Sequence, residues 1–405
     1  MSFSTAAQRG EDFLDDLRLP ASDSSPRPGP GPPGRHAAAA RRLLSAEELA
    51  PLTRLNDSRS LAALAQTVGI AGAAVAFALA VWPSPWVLAS LLVVGTQHHA
   101  FFVLAHEAAH YRLFTNRACN DWVGRAIGML GGVSMCTYRV IHRLHHNHLY
   151  GPQDPDIAIH GGYPRGAAYL CKKLARDLVG LNAWKTTAYF FGAPAIAAGH
   201  GGTRSNKLLD DTSEALRKAA RVDRFCVAGL QLALPLACLL LWGGAGLSKY
   251  LVLWLLPLLT VLQPILRLRA ICEHGAVSDF GSPLTAARSH LTGPAQSGRL
   301  ADTLLNLAGR GLLFPHHVNY HLEHHLYPAV PHYHLPRLHR MLADKGALAG
   351  AEVADLSKTL GRIFAAAEVR NTDHSADHSA DHSADHGLGA QAANKNRKPP
   401  PREAT

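Results

Sequence analysis

Four uninterrupted apolar runs stand out in a chain otherwise broken by arginine, proline and glycine. Leu61–Trp82 has 22 residues and Trp86–Ala105 has 20, neither with a formal charge; Phe225–Trp242 and Tyr250–Leu266 have 18 and 17. A transmembrane helix needs about 20 such residues, within a range of roughly 17–25, so each run predicts one span. Pro83-Ser84-Pro85 joins the first two and Gly243–Lys249 the last two, giving two helical hairpins. Arginines mark the other ends: Arg54 and Arg59, Arg112 and Arg117, Arg221 and Arg224, Arg267 and Arg269. The outer turns hold only Lys249. Basic residues stay on the cytoplasmic side, so both termini and the long middle segment, 106–224, are expected in the cytoplasm.

The polar stretches are of three kinds. Residues 1–60, rich in Pro, Arg, Ala and Ser, read as a disordered or interfacial arm, with Leu43–Leu55 as a short amphipathic helix on the membrane. Gly29-Pro-Gly31-Pro-Pro-Gly34 fits the literal dinucleotide pattern, but its prolines remove the backbone donors a pyrophosphate needs and no strand precedes it. Within the middle segment Thr186–Ala198 is apolar yet too short to cross, and Gly192 and Pro194 interrupt it; it reads as interfacial or re-entrant. The 370–405 tail repeats Ser-Ala-Asp-His, placing His374, His378, His382 and His386 four apart; a solvated, disordered tail is the expectation. Residues 61–369 are left as one integral-membrane domain.

Composition sharpens this. Charged residues are 17% and hydrophobic ones 47%, against roughly 25% charged in soluble domains. The net charge of +10 sits beside apolar runs without interleaved aromatics, which favours anionic lipid over nucleic acid. Six cysteines without a C-x-x-C pair indicate neither a disulfide framework nor a thiolate metal site.

The candidate chemistry lies in histidines. His106 and His110 are four apart at the end of the second run; His142, His145 and His146 form H-x-x-H-H, and His321, His324 and His325 repeat it. Positions i, i+3 and i+4 share a helix face, so each box can aim its rings at one point. His274 follows the fourth run. All nine lie at cytoplasmic helix ends or in cytoplasmic segments, where they can meet in one layer. Nine imidazoles exceed a tetrahedral zinc site and suit two metals, with iron the best fit to an all-nitrogen, redox-capable set. Glu107, Asp154, Asp156, Glu273 and Glu323 are placed to accept the second ring N–H of a ligand and fix its tautomer.

HEAAH, HRLHH and HLEHH on two hairpins resemble the membrane fatty acid desaturase superfamily, which also holds acyl hydroxylases and carotenoid ketolases. Asn120-Asp121-Trp122, Asp154-Pro155-Asp156, Asn319-Tyr320 and Tyr327-Pro328-Ala329-Val330-Pro331 extend the likeness over Leu61 to Met341. The resemblance implies an all-α membrane fold of four spans with a cytoplasmic helical cap. It implies two irons on the nine histidines, O2 as co-substrate, and a lipid acyl chain desaturated or, as the alternative, hydroxylated. The spacing of the first box is that of acyl-lipid rather than acyl-CoA members. Ala270 stands where acyl-CoA members carry an asparagine holding a metal-bound water. No His-Pro-Gly-Gly haem motif occurs, so a separate ferredoxin- or cytochrome-type protein is expected to deliver electrons. Gln97–His98 is read as lining a substrate channel, supporting the first box, or bonding a neighbouring helix. His316 and His317 are read as support for the ligands, and His332, His334 and His339 as surface or packing residues. Two rivals are weaker: an H-E-x-x-H zinc hydrolase leaves seven histidines idle, and a membrane metal carrier would hold its ligands at the bilayer midplane.

Overall fold

The computed structural model describes residues 43–151, 154–191 and 214–366, and these are mostly helical. The expected tail and its histidines lie outside the described residues, as do residues 1–42. Three helices are long and apolar enough to cross a membrane: α2 (Asp57–Ala80), α3 (Val87–Ala109) and the continuous helical stretch Glu214–His274. Asn56 caps α2 by accepting from the Arg59 backbone N–H, a polar start just before the apolar run. Outward positions such as Leu61, Val68 and Phe77 on α2, and Leu232, Leu240 and Trp242 further on, are exposed. Large apolar side chains left open in this way suit hydrocarbon, not water.

The third stretch departs from the expected hairpin with a seven-residue linker. Helix α8 (Glu214–Tyr250) passes straight through that segment, broken only at Gly243, whose φ of 64° and ψ of −163° suit glycine and almost nothing else. The chain reverses there. Gln231 donates to Met129 O at 2.7 Å while Trp254 donates to Leu130 O at 3.4 Å; the 23 positions between 231 and 254 would span about 35 Å in an unbroken helix. A π-helical turn, Leu251–Leu255, and a further helical turn, Leu256–Leu259, lead into α9 (Leu262–His274). Helix α9 meets α3 where Gly95 faces Val261; a Cβ on Gly95 would lie 2.4 Å from the valine side chain.

Helices α4 (Arg117–Leu130) and α5 (Met135–His148) follow α3, each capped by a polar side chain, Asn116 and Ser134. After a helical turn at Ile157–His160 come α6 (Ala167–Leu178) and α7 (Ala183–Phe190). Helix α7 covers the start of the apolar piece expected to be interfacial; 192–198 lies outside the described residues. The last part holds α10 (Leu300–Leu312), α11 (His321–Leu326), α12 (Leu335–Asp344) and α13 (Leu356–Ile363). It also holds a two-stranded parallel ladder, β1 (Ser289–His290) and β2 (Val353–Ala354). Two residues per strand leave the described residues mostly helical, in line with the all-α expectation.

The short amphipathic helix expected within Leu43–Leu55 is present, but its apolar side faces protein rather than membrane. Residues 43–60 are ordered into α1 (Ala46–Thr53), closed by a Ser45–Glu48 capping box, and the start of α2. Leu44 and Leu52 pack with Leu322, Leu326, Leu335 and Leu338. The amphipathic piece therefore spends its apolar side on α11 and α12 of the protein itself.

Candidate metal centre

Each histidine box sits at a helix end that other residues hold in place. Arg139 on α5 reaches back to the end of α3: Nη2 donates to Ala108 O at 3.0 Å and Nε to Ala109 O at 3.1 Å. The same guanidinium pairs with Asp121 at 2.6 Å. A cation on the last carbonyls of a helix satisfies orphan acceptors and complements the macrodipole, and here it fixes the first box against the second. Asn120 donates to Ala108 O and accepts from the Leu113 and Phe114 backbone, folding the loop after His110. Gly124 lets α4 close on α3, since a Cβ there would meet Ala108 at 2.4 Å. The end of α9 has its own arginine. Arg288, fully buried, donates to Cys272 O, Gly275 O and Ala276 O and pairs with Glu352 at 2.9 Å.

The nine histidines come together in two groups. His106, His110, His142, His146 and His324 form one, and His145, His274, His321 and His325 the other; within each, one ring nitrogen per residue lies within 4.8 Å of all the rest. Both H-x-x-H-H boxes are therefore shared. His142 and His146 serve the first group and His145 the second, while His321 and His325 serve the second and His324 the first.

The protons show what this arrangement suits. His145 Nδ1 lies 2.9 Å from Asp154 Oδ1, and His274 Nδ1 lies 3.1 Å from Ala286 O, a pure acceptor. Each ring in its neutral form thus carries its proton on Nδ1. Their Nε2 atoms then face each other as bare lone pairs at 3.2 Å. His321 Nε2 is 2.9 Å from His274 Nε2 and 3.1 Å from His325 Nε2. In the other group His146 Nε2 is 2.9 Å from that of His142 and 3.1 Å from that of His324. Converging lone pairs repel one another and fit a cation held between them. Burial, reinforced by the neighbouring imidazoles, holds His142, His146, His321, His324 and His325 well below their usual pKa, so they stay neutral donors. His145 differs. Burial opposes its protonation, but Asp154 and Asp156 outweigh it and push the pKa up to about 9.

The fatty acid desaturase family model matches residues 80–356. The chain belongs to that family. No curated protein sequence matches it.

Within this desaturase-family chain the acidic residues divide. Asp154 supports His145 directly, Asp156 lies 3.5 Å from the same ring, Glu273 lies 3.6 Å from His321 Nδ1 and Glu107 lies 3.4 Å from His106 Nδ1. Glu323 does not serve a box ring. It holds Ser289 and His339, tying α11 to β1 and α12. Glu107 accepts from the His332 backbone at 2.9 Å, which turns one carboxylate oxygen away from the metal centre. His98 bonds Trp254 O at 3.1 Å, so of its three readings the neighbouring-helix one describes it. Gln97 faces a separate groove. His316 is bonded to Thr67 at 2.8 Å and stands apart from both groups, contrary to its expected supporting role.

Three participants were missed. His160 lies 3.3 Å from the second oxygen of Asp154; its six-residue offset from Asp154 in the same short segment was the available signal. The Tyr150 hydroxyl lies 2.6 Å from His274 O and 2.9 Å from Ala286 O. Tyr138 stacks on His142 with centroids 5.2 Å apart. Tyr138 also faces a cavity of about 200 Å³ bounded by Phe102, Asp156, Phe190 and Ala270, beside the ligand-bearing ends of α5 and α9.

Proposed function

We propose that this chain is an O2-dependent di-iron oxidoreductase that desaturates the acyl chain of a membrane lipid. Membership of the fatty acid desaturase family supports an oxidoreductase of the desaturase and hydroxylase type. The observation that carries the finer reading is the five-and-four division of nine histidines, seven buried and two half-buried, with ring nitrogens converging within each group. Imidazole donors of this number suit two redox metals with room for a co-substrate. Two irons held there would supply the activation of O2 and the removal of hydrogen from an unactivated carbon. The protein's share is positioning and exclusion of water. Asp154 and the Ala286 carbonyl hold the tautomers of His145 and His274. Phe102, Phe190, Leu266 and Ala270 give the cavity beside Tyr138 an apolar share of wall for a chain, with Arg165, Lys173 and Arg269 among its charged lining. The reversal at Gly243 and the arginines at the helix ends support a topology of four spans, with the metal centre and both termini on the cytoplasmic side. A separate ferredoxin- or cytochrome-type donor supplies electrons.

Expression in a host of defined lipid composition, with metal analysis and lipid mass spectrometry, tests this. Two irons per chain and loss of two hydrogens from an acyl chain is the expected result. Gain of one oxygen would make it a hydroxylase on the same site. One zinc with unchanged lipids would overturn the reading.

A further inference from the structure

The largest cavity described, about 590 Å³, is not the one beside the metal centre. It lies along α2, on the far side of α3 from the cavity at Phe102. Ala100 faces this groove and Phe102 the other; two residues apart on a helix is about 200° of rotation, so the same helix separates the two spaces.

Its lining changes character along α2. Arg59 stands at the polar start of the helix, with Arg310 of α10 also on the wall. Gln66 and Thr67 come about two turns further, joined by Gln97 from α3. Ile70 closes the row, 11 positions and about 16 Å from Arg59. Charge, hydrogen-bonding groups and apolar surface thus follow one another in the order of a phospholipid's head, ester region and acyl chain. No carboxylate among the described residues lines the groove, so an anion drawn to Arg59 or Arg310 meets no competing charge on its walls. The wall opposite α2 is strained: His316 and His317 have φ of 51° and 61°, the left-handed region that a non-glycine residue enters rarely and two in succession more rarely still. That backbone holds His316 against Thr67 at 2.8 Å and turns both rings to the groove. Strain of this kind persists where surrounding structure imposes it, commonly at ligand sites.

We propose that this groove is a binding site for an anionic membrane phospholipid, separate from the substrate cavity. Arg59 and Arg310 take the phosphate, Gln66, Thr67 and Gln97 the ester region, and the Ile70 end an acyl chain. The site borders the metal centre through His332, which lines the groove and donates its backbone N–H to Glu107.

Native mass spectrometry of the full chain in nanodiscs is the test, comparing phosphatidylglycerol with phosphatidylcholine and adding inorganic phosphate as competitor. The expected result is preferential retention of phosphatidylglycerol, weakened about thirtyfold when Arg59→Gln and Arg310→Gln are combined, with Arg299→Gln on α10's exposed start leaving it unchanged. Ala62→Trp, at an exposed position on the groove wall, should block the lipid while keeping both charges, which covers the case of a double variant that does not fold. Equal retention of the two lipids, displacement by inorganic phosphate, or full retention in Ala62→Trp would each overturn the proposal.

Discussion

The two histidine groups are built from the same residue type yet supported differently. In the four-histidine group every ring is buried, and three of the four have a second ring nitrogen near an acceptor: Asp154 for His145, Ala286 O for His274, Glu273 for His321. In the five-histidine group His110 and His146 are only partly buried, and no support is as short as the 2.9 Å and 3.1 Å contacts of His145 and His274. Glu107 lies 3.4 Å from His106 and the Tyr138 hydroxyl 3.4 Å from His142, close to the 3.6 Å of Glu273 from His321. More ligands with weaker orientation face fewer ligands with stronger orientation. Outer partners commonly matter almost as much as ligands, so the smaller group should hold its metal more firmly and the larger one exchange more readily.

The largest effect is expected from the ligands. His145→Ala should abolish turnover, halve the bound iron and leave membrane insertion intact; retained activity would remove His145 from the centre. The two capping arginines come next. Arg288→Ala leaves the Cys272, Gly275 and Ala276 carbonyls without their donor, while Glu352 keeps Arg362, and should cost roughly 3–5 kcal/mol of stability. Arg139→Ala should cost about 2–3 kcal/mol, because Asp121 is partly exposed and water replaces some of the loss. Thermal unfolding in detergent ranks the two, and an equal cost would contradict the difference in burial. Asp154→Asn should lower activity or iron affinity about 10–100-fold, whereas Glu107→Gln should lower it less than about threefold, since its hydrogen bond to His332 survives the change. Equal losses would erase the contrast between the groups. The smallest effect is kinetic: a chelator should remove one iron several times faster than the other, and Asp154→Asn should narrow the gap.

Which histidines come together was legible in the chain because the cue is local. A spacing of three or four residues puts rings on one face whatever the tertiary context, and nine rings gathered at the ends of apolar runs exceed what helix packing alone requires. How they divide was not legible. His145 and His324 each leave the other two members of their box, and this depends on where α5 and α11 lie relative to α3 and α9. The supporting arginines carry no signal either: Arg139 and Arg288 are single residues whose partners lie on other segments. The apolar runs showed the long helices, but composition suggested a loop between the last two, whereas one glycine at a positive φ makes the turn. Leu43–Leu55 showed an apolar side correctly but not its partner, since an amphipathic face fits lipid and protein equally well.

That partner sets an order of events during synthesis. Helix α1 leaves the ribosome first of the described helices, yet Leu44 and Leu52 find their place only once Leu322 to Leu338 have followed. Until then the nascent chain can hold at most six of its nine histidines, His106 to His274, and the apolar side of α1 has nothing to seat against. On the proposed di-iron reading, full metal loading would follow synthesis of the third histidine box. A nascent chain stalled before His321 should insert into the membrane and remain without its full complement of iron.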